Sequence, residues 1–428
     1  MKPTRTRYWV IFFAITLAIL SYIDRVAISQ AATPISRDLH LTKSQMGLIF
    51  GAFGISYALL EVPSGWLGDW MGPRRVLVRI VLWWSSFTAL TGAAWSYGSL
   101  WLVRFLFGAG EAGCFPNLTK AFSAWLPFSE RSRAQGLMWS FARWGGAFTP
   151  PLVVLAFSYM SWRGAFAAFG ALGLVWCFFF YRWFRDRPED HPDVNAAEIE
   201  MLKEVSALGA GHGDVPWGAL VRSRSVWLLW AQYFCVSFPW YFYITWLPTY
   251  LQEFRHQSQA ASARLAIFPL LFGGFGSLIC GLLVSKVARW SGQAFARRSF
   301  AVLGFVSAAI FLWVSIRIQD PFWGMFAMGL ASFANDLTMP PSWNACMDIG
   351  GKYAGTVAGS MNMMGNLAAF TAPALGGMLL DRTHGDWNLF LYLMVGVYFL
   401  GAVCWPFIDP VTPLETEAGS EKPAARIL

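Results

Sequence analysis

An all-α integral membrane fold of twelve spanning helices, set out as two six-helix halves, follows from three features of the 428-residue sequence. Composition is the first: 56% of the residues are hydrophobic and 13% charged, against about 25% charged in soluble globular proteins. The second is the length of the apolar runs. Twelve spans of about 20 residues would take roughly 240 positions, leaving short loops and one longer connection. The third is an internal repeat: AFTPP at 147–151 returns as AFTAP at 369–373, and Glu111 precedes Pro116 by five residues as Asp336 precedes Pro341.

The first span is expected from about Tyr8 to Gln30, with Tyr22, Asp24 and Arg25 (SYIDR) inside the membrane and Pro34 in the loop beyond. Its apolar run lacks a small-residue cleavage site, so it reads as a retained helix. Span 2 (about 45–67) carries Gly47, Gly51 and Gly54, which let a neighbouring backbone approach closely, together with Tyr57, Glu61 and Pro63. Spans 3 and 4 (about 76–96 and 100–124) follow the turn GWLGDWMGPRR. RFLFGAGEAGCFP at 104–116 reads as one continuous helix, with Arg104 and Glu111 two turns apart on one face. Arg and carboxylate cost about 2.5–3.5 kcal/mol each at the centre of a membrane helix, so they are kept where they line a cavity or lock helices together. Span 5 (about 134–158) contains Arg143, and span 6 (about 163–184) ends in YRWFRDRPEDHP.

The expected organisation is a bundle over 1–185, a polar linker over 186–225, a second bundle over 226–409 and a polar tail over 410–428. The stretch AAEIEMLKEVSAL in the linker is amphipathic and is expected along the membrane surface. Spans of the second half are placed near 226–252, 262–288, 299–316, 321–346, 353–380 and 387–408.

The formal charge of +8 does not point to nucleic acid, because it is distributed by side. About 21 of the 32 Lys and Arg fall on the side of the termini, about seven on the other and about four within spans. Both termini are therefore expected in the cytoplasm, with the chain in the inner (plasma) membrane. Lys120, about a turn from that surface, is expected to snorkel to it. The six cysteines lie in apolar runs without metal spacing, and the five histidines lie in loops. No HExxH, GxSxG or GxxxxGK[ST] occurs, so enzyme and ATP-driven readings lack support and no cofactor or metal is expected.

The turn from Gly65 to Arg75, with Asp69, Gly72 and Arg74, resembles the signature loop between helices 2 and 3 of major facilitator transporters, where it latches one state of the cycle. Its second-half counterpart, GLLVSKVARW from Gly281, has Ser285 and Lys286 near the acid's position and is expected to be weaker. SYIDR, RFLFGAGEAGCFPN and MDIGGKYAGTVAGSMNMMGN resemble the anion:cation symporter branch, which includes proton-coupled galactonate, glucarate and hexuronate carriers and sialin. Parallel repeats about an axis along the membrane normal are the layout of that fold.

The resemblance implies a proton-coupled symporter importing an organic anion, a sugar acid first, with H+ as coupling ion. It implies that Arg25 meets the substrate carboxylate, that Asp24 and Glu111 take up protons, and that Arg104 holds the carboxylates in register. Tyr22, Tyr57, Trp343 and Asn362 would contact substrate, Arg143 is a further candidate for binding it, and the polar residues Ser342 and Asn344 could supply further hydrogen bonds. Two positions depart from the galactonate carrier: Ala142 replaces a glutamine beside Arg143, and Glu61 replaces a neutral amide. Glu61 and Arg143 are expected to pair across helices 2 and 5. Asp336 reads equally as a cavity acid and a structural one, and Asn366 as a helix–helix contact. A second reading is an exporter or exchanger of another organic anion, such as an aromatic or dicarboxylic acid. The partners expected are a small organic anion and the lipid bilayer, with the chain a monomer.

Overall fold

A computed structural model describes residues 3–206, 217–350 and 354–414; within the helices, the side chains of a few residues, including Asp69 and those around Gly65, also lie outside the description. The N-terminal half runs through α1 (Arg7–Asp38), α2 (Lys43–Met71), α3 (Pro73–Thr91), α4 (Tyr97–Glu111), α5 (Cys114–Trp125), α6 (Phe128–Phe157) and α7 (Trp162–Trp183). Two short helices, α8 (Ala196–Ser206) and α9 (Trp217–Arg222), lie in the linker. The C-terminal half comprises α10 (Arg224–Thr245), α11 (Leu247–Glu253), α12 (Gln259–Leu265), α13 (Ile267–Ser291), α14 (Gln293–Arg317), α15 (Pro321–Asp336), α16 (Met339–Gly350), α17 (Ala354–Arg382) and α18 (Trp387–Cys404).

Among the described residues, six helices are long and apolar enough to cross a membrane. Several other spans are split. Span 4 is α4 plus α5, span 7 is α10 plus α11, and span 10 is α15 plus α16. Large apolar side chains such as Phe178, Leu282 and Leu400 face outward, where lipid replaces water as solvent.

Three boundaries differ from the sequence expectation. Helix α1 continues through Pro34 to Asp38, giving up the backbone hydrogen bond that a proline nitrogen cannot donate, and the connection to α2 shrinks to a few residues. The turn after α2 falls at Gly72 (φ +83°) and not at Gly65, which lies within helix. The linker helix α8 is docked on protein, with Leu202 and Glu198 buried. Glu198 accepts from Arg7 Nη1 at 3.0 Å and from the Thr4 hydroxyl, because a buried carboxylate needs such partners.

The halves meet most closely along α2 and α17. A Cβ on Gly47 would lie 2.3 Å from the Pro373 carbonyl oxygen, and one on Gly51 or Gly54 would meet Phe370 or Ala369 at 2.9 and 2.5 Å. This is the close approach that the glycine stripe predicted. At the end away from the termini, Thr42 and Gln45 form a reciprocal cap on α2. Asp381 of α17 adds to it, accepting from the Lys43 and Ser44 N–H groups at 3.1 and 2.8 Å. Lys43 also pairs with Glu253, and Thr33 donates to Gln252 at 3.1 Å. The halves are thus tied together at this distal end.

Candidate functional site

Glu111 is the last residue of α4, and the helix stops there. Ala112 turns to ψ 136° and Gly113 adopts φ +83°, a left-handed conformation that favours glycine. A Cβ at Gly113 would also lie 2.4 Å from Ser64 Cβ. Asn117 stitches the break by donating from Nδ2 to the Gly113 carbonyl at 2.8 Å. The continuous helix expected over 104–116 is therefore corrected to two helices with the acid at their junction.

Glu111 is fully buried and accepts at Oε1 from Arg25 Nε at 2.9 Å and from the Ser21 hydroxyl. Arg25 sits among four aromatic rings, with its guanidinium carbon 4.9 Å from Phe53, 5.0 Å from Tyr57, and 5.6 Å from both Tyr22 and Phe115. Cation–π attraction holds the charge without using its N–H groups. Arg25 Nη2 is buried without a hydrogen-bond partner, as is Glu111 Oε2.

Arg104 does not clamp the carboxylates. It is 2% exposed, lies 4.2 Å from the Phe107 ring, and leaves Nε and Nη1 unpartnered. Asp24 is buried with Oδ1 unpartnered, and makes no ion pair among the described residues. Of the four charges read from these two spans, Arg25 and Glu111 meet, while Arg104 makes no ion pair with either acid among the described residues.

A second acid ends a broken helix in the other half. Asp336 closes α15, and Leu337 and Thr338 separate it from α16. It is ion-paired with Arg143 of α6, whose Nε lies 3.3 Å from Oδ2, and accepts at Oδ1 from Arg143 Nη2 at 3.5 Å and from Asn335 Nδ2 at 2.9 Å. The Arg143 guanidinium lies 3.4 Å from the Trp240 ring. The expected pairing of Glu61 with Arg143 is therefore wrong: each finds its partner in the opposite half. Glu61 accepts from Asn362 Nδ2 at 2.5 Å and from Asn366 Nδ2 at 3.3 Å, and Asn366 Oδ1 in turn accepts from the Tyr241 hydroxyl at 3.3 Å.

Other candidates scatter. Ser342 is buried, donating to the Thr338 carbonyl at 2.7 Å and bonded to Gln232 at 3.3 Å, which turns its hydroxyl to internal structure. Trp343 is half-buried, edge-on to Tyr233 at 6.1 Å, and Asn344 is half-buried beside it. In the signature turn, Arg74 N–H donates to Asp186 at 2.8 Å and its side chain to the Tyr181 carbonyl at 2.5 Å, while Arg75 is exposed. The side chain of Asp69 lies outside the described residues. The second-half turn has the same backbone at Gly292 (φ +82°), with Arg297 paired to Asp348 at 2.7 Å. Trp240, Tyr241 and Asp381 escaped sequence reasoning. The aromatic run FPWYFY in span 7 was the one available signal for the first two.

A family model described as Major Facilitator Superfamily matches residues 14–373. The chain belongs to this superfamily. The probable sulfoacetate transporter of Cupriavidus necator is 35% identical over 96% of both chains. The hexuronate transporter of Bacillus subtilis is 27% identical over 96% of this chain and 97% of its own. The probable L-galactonate transporter of Escherichia coli is 26% identical over 94% of this chain and 88% of its own. A crystal structure of a bacterial homolog of the human lysosomal transporter Spinster, inward-facing and occupied, superposes with a TM-score of 0.75 at 17% identity over 95% of this chain and 97% of that one. This facilitator is therefore a multi-pass membrane transporter and not an enzyme.

Proposed function

We propose that the chain is a proton-coupled symporter that imports an organic anion by alternating access, with Arg25 as the anion's anchor and Asp24 and Glu111 as proton carriers. The observation that carries this reading is the Arg25–Glu111 pair, buried at a helix break with one guanidinium nitrogen left free. An arginine offers a planar donor fork matched to carboxylate or sulfonate. While Glu111 is ionised it competes with the incoming anion for that fork. Once protonated it releases Arg25, and the anion takes its place.

Charge balance supports more than one proton per anion. Arg25, Arg104 and Arg143 face Asp24, Glu61, Glu111 and Asp336, one negative charge in excess when all are ionised. A bound monoanion raises the excess to two and a dianion to three, and as many protons restore neutrality, the form least costly to move through a low-dielectric environment. The relatives support an organic anion substrate, named in turn as sulfoacetate, hexuronate and L-galactonate. A sugar acid remains the proposed class. The two bundles, 1–185 and 226–409, would rock about the site in an inner (plasma) membrane, with both termini cytoplasmic and the chain a monomer. Closure at the distal end fits a state open toward the termini.

Purified protein in liposomes tests this. With an acidic exterior, labelled sugar acids or sulfoacetate should accumulate inside, and a protonophore should abolish accumulation. Uptake indifferent to the pH gradient would refute symport, and accumulation only against an outward proton gradient would make the protein an antiporting exporter.

A further inference from the structure

A single anionic head at Arg25 leaves the second arginine–acid pair without a task. Arg143 is 9% exposed and its Nη1 is buried without a hydrogen-bond partner among the described residues, as is Nη2 of Arg25. Each guanidinium is thus held on one side by the acid that ends a broken helix and lies against aromatic side chains, with a buried nitrogen unused. A buried donor left unmade costs about 1–3 kcal/mol; Arg104 has such donors too, but Arg25 and Arg143 combine one with an acid partner at a helix break, the arrangement from which an incoming acid group can take over.

We propose that the transported solute carries two acid groups, as a dicarboxylate or sulfonate–carboxylate, one held by Arg25 and the other by Arg143. This rests on the reading that Arg25 takes the anion. The alternative role for Arg143, a strut between the halves, fits its geometry poorly. Its contacts to Asp336, 3.3 and 3.5 Å, exceed the 2.7–2.9 Å of a firm charge-assisted bond, so Asp336 holds it loosely and a second acid group can take the free nitrogen. The two arginines share one wall. Tyr22, whose ring lies 5.6 Å from Arg25, packs on Gly146, one turn from Arg143 on α6, where a Cβ would meet the ring at 3.0 Å. Trp240, beneath Arg143, is followed by Tyr241, which reaches Asn366 beside Glu61. A solute lying across these rings meets a cation at each end.

The test is binding of matched pairs to the purified full-length protein by calorimetry: gluconate against glucarate, and acetate against sulfoacetate. Wild type should bind the two-headed member of at least one pair about 10- to 100-fold more tightly, the range of one charged hydrogen bond. Arg143→Gln should erase that margin and leave the one-headed anions unchanged. The double variant Arg143→Gln with Asp336→Asn, which leaves no lone buried charge, should do the same and guards against misfolding. A panel with no two-headed preference, or an Arg143→Gln loss equal for both members, overturns the proposal. Failure of the underlying reading looks different: Arg25→Lys would then leave every anion's affinity intact.

Discussion

Replacing Glu111 with glutamine separates proton coupling from anion binding. The amide keeps the shape of the carboxyl and an oxygen for Ser21 and Arg25 Nε, but removes the charge that Arg25 faces at 2.9 Å. Removing one member of a buried pair costs about 3–5 kcal/mol, because the remaining charge loses its compensation. The retained acceptor places this variant near the lower end, about 3 kcal/mol. An anion entering the variant displaces no carboxylate and returns a countercharge to Arg25. Ligand at 100 times its Kd stabilises by about 2.7 kcal/mol, enough to offset most of the loss. Thermal unfolding of the detergent-solubilised protein should therefore show a lower Tm without substrate and a larger substrate-induced rise than in wild type. In liposomes the variant should exchange internal for external substrate yet fail to accumulate it under a pH gradient. Wild-type accumulation by the variant would remove Glu111 from coupling, and an unchanged Tm in the absence of substrate would refute the energetic argument.

Arg25→Lys keeps the charge among the aromatic rings but replaces the planar fork with a point donor, and substrate affinity should fall about 10- to 100-fold by calorimetry. Gly113→Ala forces a left-handed residue to carry a Cβ against Ser64, costing about 1–2 kcal/mol for the backbone alone; a Tm equal to wild type would show that the break tolerates a side chain. Arg7, hydrogen-bonded to Glu130 at 3.0 and 3.1 Å, holds that carboxyl below its ordinary range. A depressed folded value means the stabilisation is present above the ordinary carboxylate pKa and is lost as pH falls through the folded value. Glu130→Gln should thus cost up to about 1 kcal/mol at neutral pH, with the gap to wild type closing in acid; a gap that persists in acid would refute the pairing.

Much of the architecture is legible from local pattern. Apolar run lengths placed the spans, and the Gly47, Gly51 and Gly54 stripe foretold a tight helix seam, whose partner the structure identifies as α17. The charges of spans 1, 4, 5 and 10 stand out because nothing apolar explains their cost in a bilayer. The helix break after Glu111 was harder to foresee. AGCFP contains glycine and proline, and a proline inside a long helix is itself a warning of a break, but the left-handed Gly113 depends on Ser64 pressing from α2.

Sequence alone determined that the chain crosses a membrane many times, that it repeats itself, and which buried acids and arginines needed an explanation. These follow from solvation cost and periodicity, which each residue carries with it. Only the tertiary structure decided who meets whom: Arg25 with Glu111, Arg143 with Asp336, Glu61 with Asn362. Two of those three partnerships join opposite halves across separations of 193 and 301 residues. A partner so distant is chosen by how the bundles pack, and no local pattern records that choice.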